Sequence, residues 1–197
     1  MLHIPTFEEA CAVLGLRPGD LGPGPADRVG MVGEGWFELR DERGELKELG
    51  AFRNLITDVG DQYYGERAAG ISSPPNQVTG MKLGTGSTAV AKTGAGAAIV
   101  TYVTGITASK AIDSTWPQSS QPSGSGTARQ IQWKTSWSSA EAIQNGLAEV
   151  VLSNQTSLAD SAGSAANTIA RALLSPTINK ASGDTLAVTW NHNLLGA

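Results

Sequence analysis

A glycine-rich segment is the part of this sequence that most resembles a chemical site. Gly84-Thr85-Gly86-Ser87-Thr88-Ala89 fits the loose glycine fingerprint of dinucleotide-binding loops and follows a strand-like segment. The next residues, Val90 to Gly94, do not open an amphipathic helix, and no strand–helix–strand unit follows. Lys92-Thr93 also lacks the glycine that a phosphate loop carries before its lysine. We therefore predict a tight turn that requires small residues, and no bound nucleotide.

The titratable side chains do not form a recognisable catalytic or metal-binding set. His3 and His192 lie at opposite ends of the chain, without the cysteine or carboxylate cluster that a metal site needs, so we expect both to face solvent. No nucleophile elbow accompanies His192. Asp113 and Glu149 are the carboxylates that could act as a glycosidase pair, although nothing in the sequence brings them together. We predict a protein that is not an enzyme and holds no metal or cofactor; a surface hydrolase that uses this pair is the catalytic alternative.

The composition indicates a folded, β-rich protein. Of the 197 residues, 40% are hydrophobic, only 16% are charged and 24 are glycine, which is too apolar and too weakly charged for a disordered chain. The net charge of −4 argues against a partner that is nucleic acid. Cys11 is the single cysteine, which excludes a disulfide within the chain. No segment has the ~18 apolar residues of a membrane span and no secretory signal is recognised, so we expect synthesis in a cytoplasm and no membrane partner.

The first 30 residues differ from the rest and predict an arm. Thr6 and the acidic residues that follow it indicate the start of a helix, and apolar residues continue that helix to Gly15. The Pro- and Gly-rich segment Arg17 to Pro25 then favours an extended linker. The helix either folds back on its own domain or docks on a neighbouring subunit. In the second case the residues expected to bind the partner are apolar, namely Ile4, Phe7, Leu14 and Leu16.

A hairpin and a helix are predicted next. Trp36–Arg40 and Glu45–Leu49 flank the turn Asp41–Gly44, and charged residues at alternate positions indicate one solvent-facing side. Thr57 or Asp58 can then cap a helix that ends at Gly70. Because Gly60 and Gly65 lower its intrinsic helix propensity, we expect this helix to depend on packing.

The remaining sequence consists of short strand patterns separated by turn signals. We expect strands at Val78–Leu83, Ala108–Trp116, Ala148–Ser153, Ile169–Leu174, Thr177–Lys180 and Thr185–His192, with a strand or short helix at Ile99–Val103. Asn179-Lys180 and Gly183-Asp184 indicate a hairpin that joins the last two strands, and Ser119 to Thr127 predicts a mobile surface loop. This pattern is typical of an antiparallel β-sandwich, and we predict a jelly roll.

The tryptophans fall into two groups. Ile131, Trp133, Thr135 and Trp137 alternate with polar residues, so they occupy one side of a strand and are expected to pack in the core. Trp36, with Phe37 beside it, and Trp116, before Pro117, are candidates for exposed anchors at a subunit contact. The alternative for these aromatic side chains is to stack against sugar rings.

A series of short phrases carries a resemblance to a known family. In order, they read Asn54-Leu55-Ile56-Thr57-Asp58-Val59-Gly60, Met81-Lys82-Leu83-Gly84-Thr85-Gly86, Asn145-Gly146-Leu147-Ala148-Glu149-Val150 and Gly183-Asp184-Thr185-Leu186-Ala187-Val188-Thr189-Trp190. In this order the phrases resemble those of a family of structural proteins from the virions of tailed bacteriophages. The resemblance covers roughly residues 50–194. The Ala- and Gly-rich stretch from Gly94 to Val103 departs from that family's pattern.

The resemblance implies a virion protein made of an arm, residues 1–30, and a β-sandwich domain, residues 31–197. Its expected function is to decorate or cement the assembled capsid, with the major capsid protein as partner and a homotrimer or another symmetric homo-oligomer as its own state. The alternative is a tail- or fibre-associated module that binds carbohydrate on the host surface. The absence of fibre-like repeats favours the head.

Overall fold

A single antiparallel sheet of nine strands is the main element of the computed structural model, which describes residues 30–120 and 129–195. The strand order is β4-β3-β7-β8-β2-β1-β9-β6-β5. The strands are β1 (Gly30–Arg40), β2 (Leu46–Ile56), β3 (Gly80–Gly84), β4 (Ser109–Ala111), β5 (Gln118–Ser120), β6 (Arg129–Trp137), β7 (Gln144–Ser153), β8 (Thr168–Lys180) and β9 (Thr185–Leu195), with one α-helix, α1 (Asp58–Ala69), and short 3-10 turns at Ala95–Ala97 and Ala165–Asn167. The prediction of a mainly β, antiparallel protein is confirmed.

The sheet curls around one hydrophobic core. Near one end of the sheet, the segment after β4 reaches β6, because the amide of Asp113 donates to the carbonyl of Lys134 at 2.8 Å. The indole of Trp137 on β6 likewise donates to the carbonyl of Thr107 at 3.1 Å. The two ends of the sheet therefore meet across the core, which is consistent with the predicted sandwich. The jelly-roll arrangement stays a prediction.

The predicted hairpin and helix are both present. β1 pairs with β2 around a turn that the Asp41 carboxylate fixes, since it accepts the amides of Arg43 and Glu45 at 2.9 Å each. Thr57 caps α1 by accepting the amide of Gly60 at 3.1 Å, and Gly70 ends the helix in the left-handed conformation. A side chain at position 60 would lie 2.2 Å from the carbonyl oxygen of Ile169, so this glycine lets α1 pack closely on β8.

The tryptophan pattern on β6 is also confirmed. Trp133 and Trp137 are buried with Thr135 between them, while the intervening residues are more exposed. Trp190 of β9 lies opposite Trp133 in the register, and its ring meets the edge of Phe52 at 5.2 Å between centroids. The core therefore forms where strands from both sequence halves direct alternate large side chains inward.

Two strand predictions, one hairpin and one loop boundary need correction. Ile99–Val103 is neither a strand nor a helix, and only an isolated bridge joins Tyr102 to Gly84. Ala108–Trp116 contains just the three-residue strand β4, because the chain turns toward β6 at Asp113. The predicted hairpin between β8 and β9 is wrong, because β2 and β1 lie between these two strands in the sheet. The turn at residues 181–184 therefore connects two strands that are not neighbours. The predicted Ser119–Thr127 loop begins inside β5, and its residues 121–128 lie outside the described residues.

Candidate functional site

A groove on the outer face of the sheet is the best candidate for a binding site. It runs over β2, β1 and β9, has a volume of about 430 Å³, and is lined by Glu34, Gly35, Trp36, Ala51, Phe52, Arg53 and Asn191. Trp36 points outward because its neighbour Phe37 points into the core, as successive residues of a strand must. Trp36 is half-buried, so its ring offers an apolar surface that is held by the sheet.

Planar polar side chains extend the face of the groove across three strands. Glu34 of β1 lies opposite Asn191 of β9, which in turn lies opposite Gln132 of β6. Gln132 donates to Asn191 at 2.7 Å, and Asn193 donates to Glu34 at 2.9 Å. Gln130 completes the row by donating to Asn193 at 3.2 Å. These bonds fix the amide and carboxylate groups in place beside an aromatic ring, so the face presents oriented donors and acceptors without needing to order them on binding.

The aromatic residues predicted to bind a partner are placed differently from one another. Trp36 lies in the groove, whereas Phe37 is fully buried in the core, so the prediction that the Phe37 side chain contacts a partner is wrong. The reason is the period of two along β1, which turns adjacent side chains to opposite faces. Trp116 is half-buried in the loop between β4 and β5 and does not line the groove. The predicted arm residues Ile4, Phe7, Leu14 and Leu16 lie outside the described residues.

The two carboxylates proposed as a glycosidase pair have separate partners. Asp113 accepts the amide and hydroxyl of Ser136 at 3.0 and 2.7 Å. Glu149 is fully buried and forms an ion pair with Arg171, at 2.7 Å from Nη2 and 3.1 Å from Nε. The structure therefore does not bring Asp113 and Glu149 together as a pair that faces a substrate.

Glu149 also explains the glycine-rich segment that resembles a dinucleotide loop. Its carboxylate accepts the amides of Gly86, Val100 and Thr101 at 2.8–3.1 Å. A Cβ atom on Gly84 or Gly86 would lie 2.6 or 2.5 Å from Glu149 Oε1. Small residues are required here because the backbone packs directly around the buried carboxylate of Glu149. The glycines of the predicted turn leave room for this carboxylate.

His192 is not exposed to solvent, so that prediction is wrong. It is fully buried on β9, where the Trp190 indole donates to Nε2 at 3.1 Å and the Tyr64 hydroxyl lies 2.5 Å from Nδ1. Asn54 Nδ2 lies 3.3 Å from Nε2, and Gly33 leaves the space that the Asn54 side chain fills. Burial lowers the pKa of His192 to about 3, so the ring is neutral.

A cavity of about 440 Å³ adjoins this histidine cluster beneath α1. Met31, Asn54 and Tyr64 border it, and the ion pair between Lys92 and Asp61 lies at its rim. Asn54 Oδ1 is buried and accepts no hydrogen bond from the described residues. No signal in the sequence pointed to this cluster, because it unites residues from β2, α1 and β9 that are up to 138 positions apart.

A third polar cluster joins two loops at the surface. The Tyr102 hydroxyl donates to Asp160 at 2.6 Å, and the amide of Gly105 donates to the same carboxylate at 2.7 Å. The hydrogen bond from Tyr102 and the one from Gly105 lower the pKa of Asp160. Lys82 donates to three acceptors, the side chain of Gln155 and the carbonyls of Ala159 and Ser161. The polar groups here are bonded to one another, so this cluster holds the loops together.

Within residues 30–120 and 129–195 there is no group of three or more His, Cys, Asp or Glu residues that could hold a metal ion. In the same described part of the chain, no helix is long and apolar enough to cross a membrane. Comparisons with models of protein families, with curated proteins and with solved structures find no match to this chain. The resemblance to phage virion proteins accordingly rests on the sequence phrases and stays a prediction.

Proposed function

We propose that this protein is a non-enzymatic structural component of a tailed-bacteriophage virion, a head decoration or cement protein that binds the assembled capsid. The observation that carries the proposal is the outward groove around Trp36. Two lines of reasoning support it: the order of the sequence phrases, and the use of the candidate catalytic carboxylates in internal contacts. The localisation that follows is the virion, with the major capsid protein as the partner.

The groove has the properties of a protein-binding surface. Trp36 supplies a large, partly buried ring, and residues of this kind contribute most of the binding energy at protein interfaces. Arg53 and Glu34 lie beside it with opposite charges, so a capsid surface with complementary charges would fix the orientation. Because the groove lies on paired strands, little conformational entropy is lost on binding.

Binding to the assembled shell alone would stabilise that shell by linkage. The arm, residues 1–30, would add a second contact through Ile4, Phe7, Leu14 and Leu16, and tethering raises its effective concentration at the neighbouring subunit. The two contacts are separable, since the groove belongs to the sheet and the arm precedes it.

Cosedimentation with expanded, empty capsids of the phage that encodes the protein tests this proposal. We expect the wild type to bind at a fixed copy number, and Trp36→Ala to raise the dissociation constant at least about thirtyfold, the equivalent of a 2 kcal/mol interface anchor. The matched control is Ile71→Ala, which removes another exposed apolar side chain outside the groove. Full binding by Trp36→Ala, or absence of the protein from purified virions, would refute the proposal.

A specific observation also favours the second candidate, a tail- or fibre-associated module that binds host-surface carbohydrate. An aromatic ring beside fixed amide and carboxylate groups, as in Trp36, Asn191 and Glu34, is a chemistry suited to a sugar ring. Titration of host cell-wall polysaccharide, followed by tryptophan fluorescence, separates the candidates. Carbohydrate binding that Trp36→Ala abolishes, with no binding to capsids, selects the second candidate; capsid binding with no response to polysaccharide selects the first.

A further inference from the structure

Among the described residues, eight of the eleven residues of β2 have a strand partner on only one side. Its register with β8 is limited to Asn54–Ile56, which pair with Ala170–Ala172. Beyond Asn54 the two strands form no further ladder pairs, and β8 continues along β7. Among the described residues, Leu46–Arg53 therefore pairs with β1 alone and presents a free edge eight residues long. A free edge carries unpaired backbone donors and acceptors that can bind another strand.

The outermost strands of the sheet are protected, and this edge is not. β4 and β5, the outermost strands, have three residues each and offer little backbone for pairing. The part of β8 beyond its ladder with β2 contains Pro176, which has no N–H to donate. The free part of β2 has no proline, and the ammonium of its Lys47 is bound to Asp184 at 2.6 Å. Natural proteins block such edges unless the edge has a use.

Apolar side chains are exposed along the same edge. Leu49 and Leu46 are 60% and 51% exposed, among the most exposed large hydrophobic residues of the described chain. We propose that the free edge of β2 pairs with β2 of a second copy of this chain, antiparallel and around a twofold axis, so that Leu49 lies opposite its own copy. This inference is independent of the virion assignment, because it depends on the geometry of the edge alone.

The charges along β2 select that register. With Leu49 opposite itself, Glu45, the residue directly before β2, lies opposite Arg53 of the other copy, which gives two ion pairs by symmetry. A register with Gly50 opposite itself would place Lys47 opposite Arg53, a like-charge pair. A register with Glu48 opposite itself would bring two glutamates together. Like charges directly opposite each other destabilise a strand pair, so the first register is the complementary one.

Charge reversal on the full chain tests the pairing. Sedimentation velocity should show a dimer for the wild type and a dissociation constant raised at least about tenfold for Glu45→Arg and for Arg53→Glu, each of which replaces two ion pairs by two repulsions. A 1:1 mixture of the two variants should recover the dimer, because each arginine then faces a glutamate. Glu66→Arg on α1 and Arg129→Glu on β6 are the matched controls, and both should dimerise normally.

Crosslinking tests the register itself. In a Cys11→Ser background, Leu49→Cys should give a disulfide-linked dimer on oxidation, since opposite Cβ atoms of an antiparallel pair lie about 5 Å apart. Ala51→Cys should not crosslink, because position 51 faces position 47 of the other copy. A wild type that stays monomeric at high concentration, or reversal variants that dimerise as well as the controls, would overturn the proposal. So would a chain that dimerises only once residues 1–29 are removed, because its own arm would then occupy the edge.

Discussion

Two buried polar clusters stabilise this protein in different ways. In the first, the Glu149 cluster, both Glu149 and Arg171 are charged and fully buried, and Arg171 also donates to the carbonyls of Thr88 and Gly96. In the second, the His192 cluster, a neutral imidazole joins Tyr64, Trp190 and Asn54. The Glu149 cluster is ionic, and its carboxylate and guanidinium are hydrogen-bonded on several sides. The His192 cluster is uncharged, and no donor in the described part of the chain reaches Asn54 Oδ1.

The difference reflects what each cluster holds. Residues 85–108, between β3 and β4, form almost no regular structure, so their backbone amides need partners other than a strand. A carboxylate has enough lone pairs to accept several amides at once, and Glu149 accepts those of Gly86, Val100 and Thr101. The His192 cluster instead contacts α1, where most backbone amides are bonded within the helix, so a neutral contact through Tyr64 is enough to attach it.

The largest expected effect comes from neutralising the Glu149 cluster on one side. Glu149→Gln leaves the buried Arg171 charge without a counterion, and we expect a loss of about 3–5 kcal/mol in the free energy of unfolding, measured by urea denaturation. The double variant Glu149→Gln/Arg171→Met should lose less than Glu149→Gln alone, because an amide oxygen still accepts the backbone amides and no buried charge remains.

The control for that prediction is a partly exposed ion pair. Glu141→Gln removes the partner of Lys110, and the two side chains are 23% and 30% exposed. We expect it to cost less than about 1 kcal/mol, since solvent screens such pairs. Equal losses for Glu141→Gln and Glu149→Gln would contradict the distinction between a buried and a screened pair.

Lowering the pH from 6.5 to 5 should act on the His192 cluster. Burial lowers the pKa of His192 to about 3, whereas the unfolded chain titrates near 6.5. Between these values the unfolded state binds a proton that the native state does not, so the free energy of unfolding decreases as pH falls. We expect a loss of about 1–2 kcal/mol from pH 6.5 to pH 5.

Urea denaturation at several pH values checks this slope. His192→Gln should be less stable at pH 7 but should lose the pH dependence in this range. Keeping the measurements above pH 5 separates the histidine from Glu38, Glu141 and Asp184, whose lowered carboxyl pKa values matter only in more acidic solution. An unchanged slope in His192→Gln would show that another group titrates.

A smaller disturbance of the Glu149 cluster is predicted for Gly86→Ala. The new Cβ would lie 2.5 Å from Glu149 Oε1, so the carboxylate must move away from the amides that it accepts. We expect a loss of about 1–3 kcal/mol in thermal or urea unfolding. Gly65→Ala is the matched control: nothing lies within 4 Å of its Cβ position in α1, and it should stabilise the helix by about 0.5–1 kcal/mol. Destabilisation of similar size by both changes would refute the steric explanation.

Local patterns of the sequence predicted the parts of the fold that depend on neighbouring residues. Alternation along β6, the turn at Asp41–Gly44 and the caps of α1 are short-range features, and the structure confirms them. The predicted β8–β9 hairpin is wrong because turn residues specify that the chain reverses direction. They do not specify which strand the next segment pairs with. Pairing β9 with β1 and β6 instead buries Trp190 and Leu186, a gain that depends on strands more than 40 residues away.

The candidate site was predictable only in part for the same reason. Trp36 could be singled out as an aromatic residue in a strand, but Phe37 beside it could not be assigned to the inner face without knowing which face is covered. Glu149 and Gly86 were both noted without any sign that they meet, since a carboxylate that binds amides leaves no local signature. His192 was misjudged because a position near the chain end says nothing about burial.

The smallest expected loss of stability, that of Tyr64→Phe, tests whether the two clusters are energetically independent. Because the Trp190 indole donates to Nε2 of His192, Nδ1 carries the proton and donates to the Tyr64 hydroxyl. Tyr64→Phe removes that acceptor, yet the adjoining cavity lets water take its place, so we expect a loss of only about 1 kcal/mol. The clusters share no partner, and the loss in Tyr64→Phe/Glu149→Gln should therefore equal the sum of the single losses within about 0.5 kcal/mol. A larger coupling energy in this double-mutant cycle would mean that α1 and the loop 85–108 are stabilised as one unit.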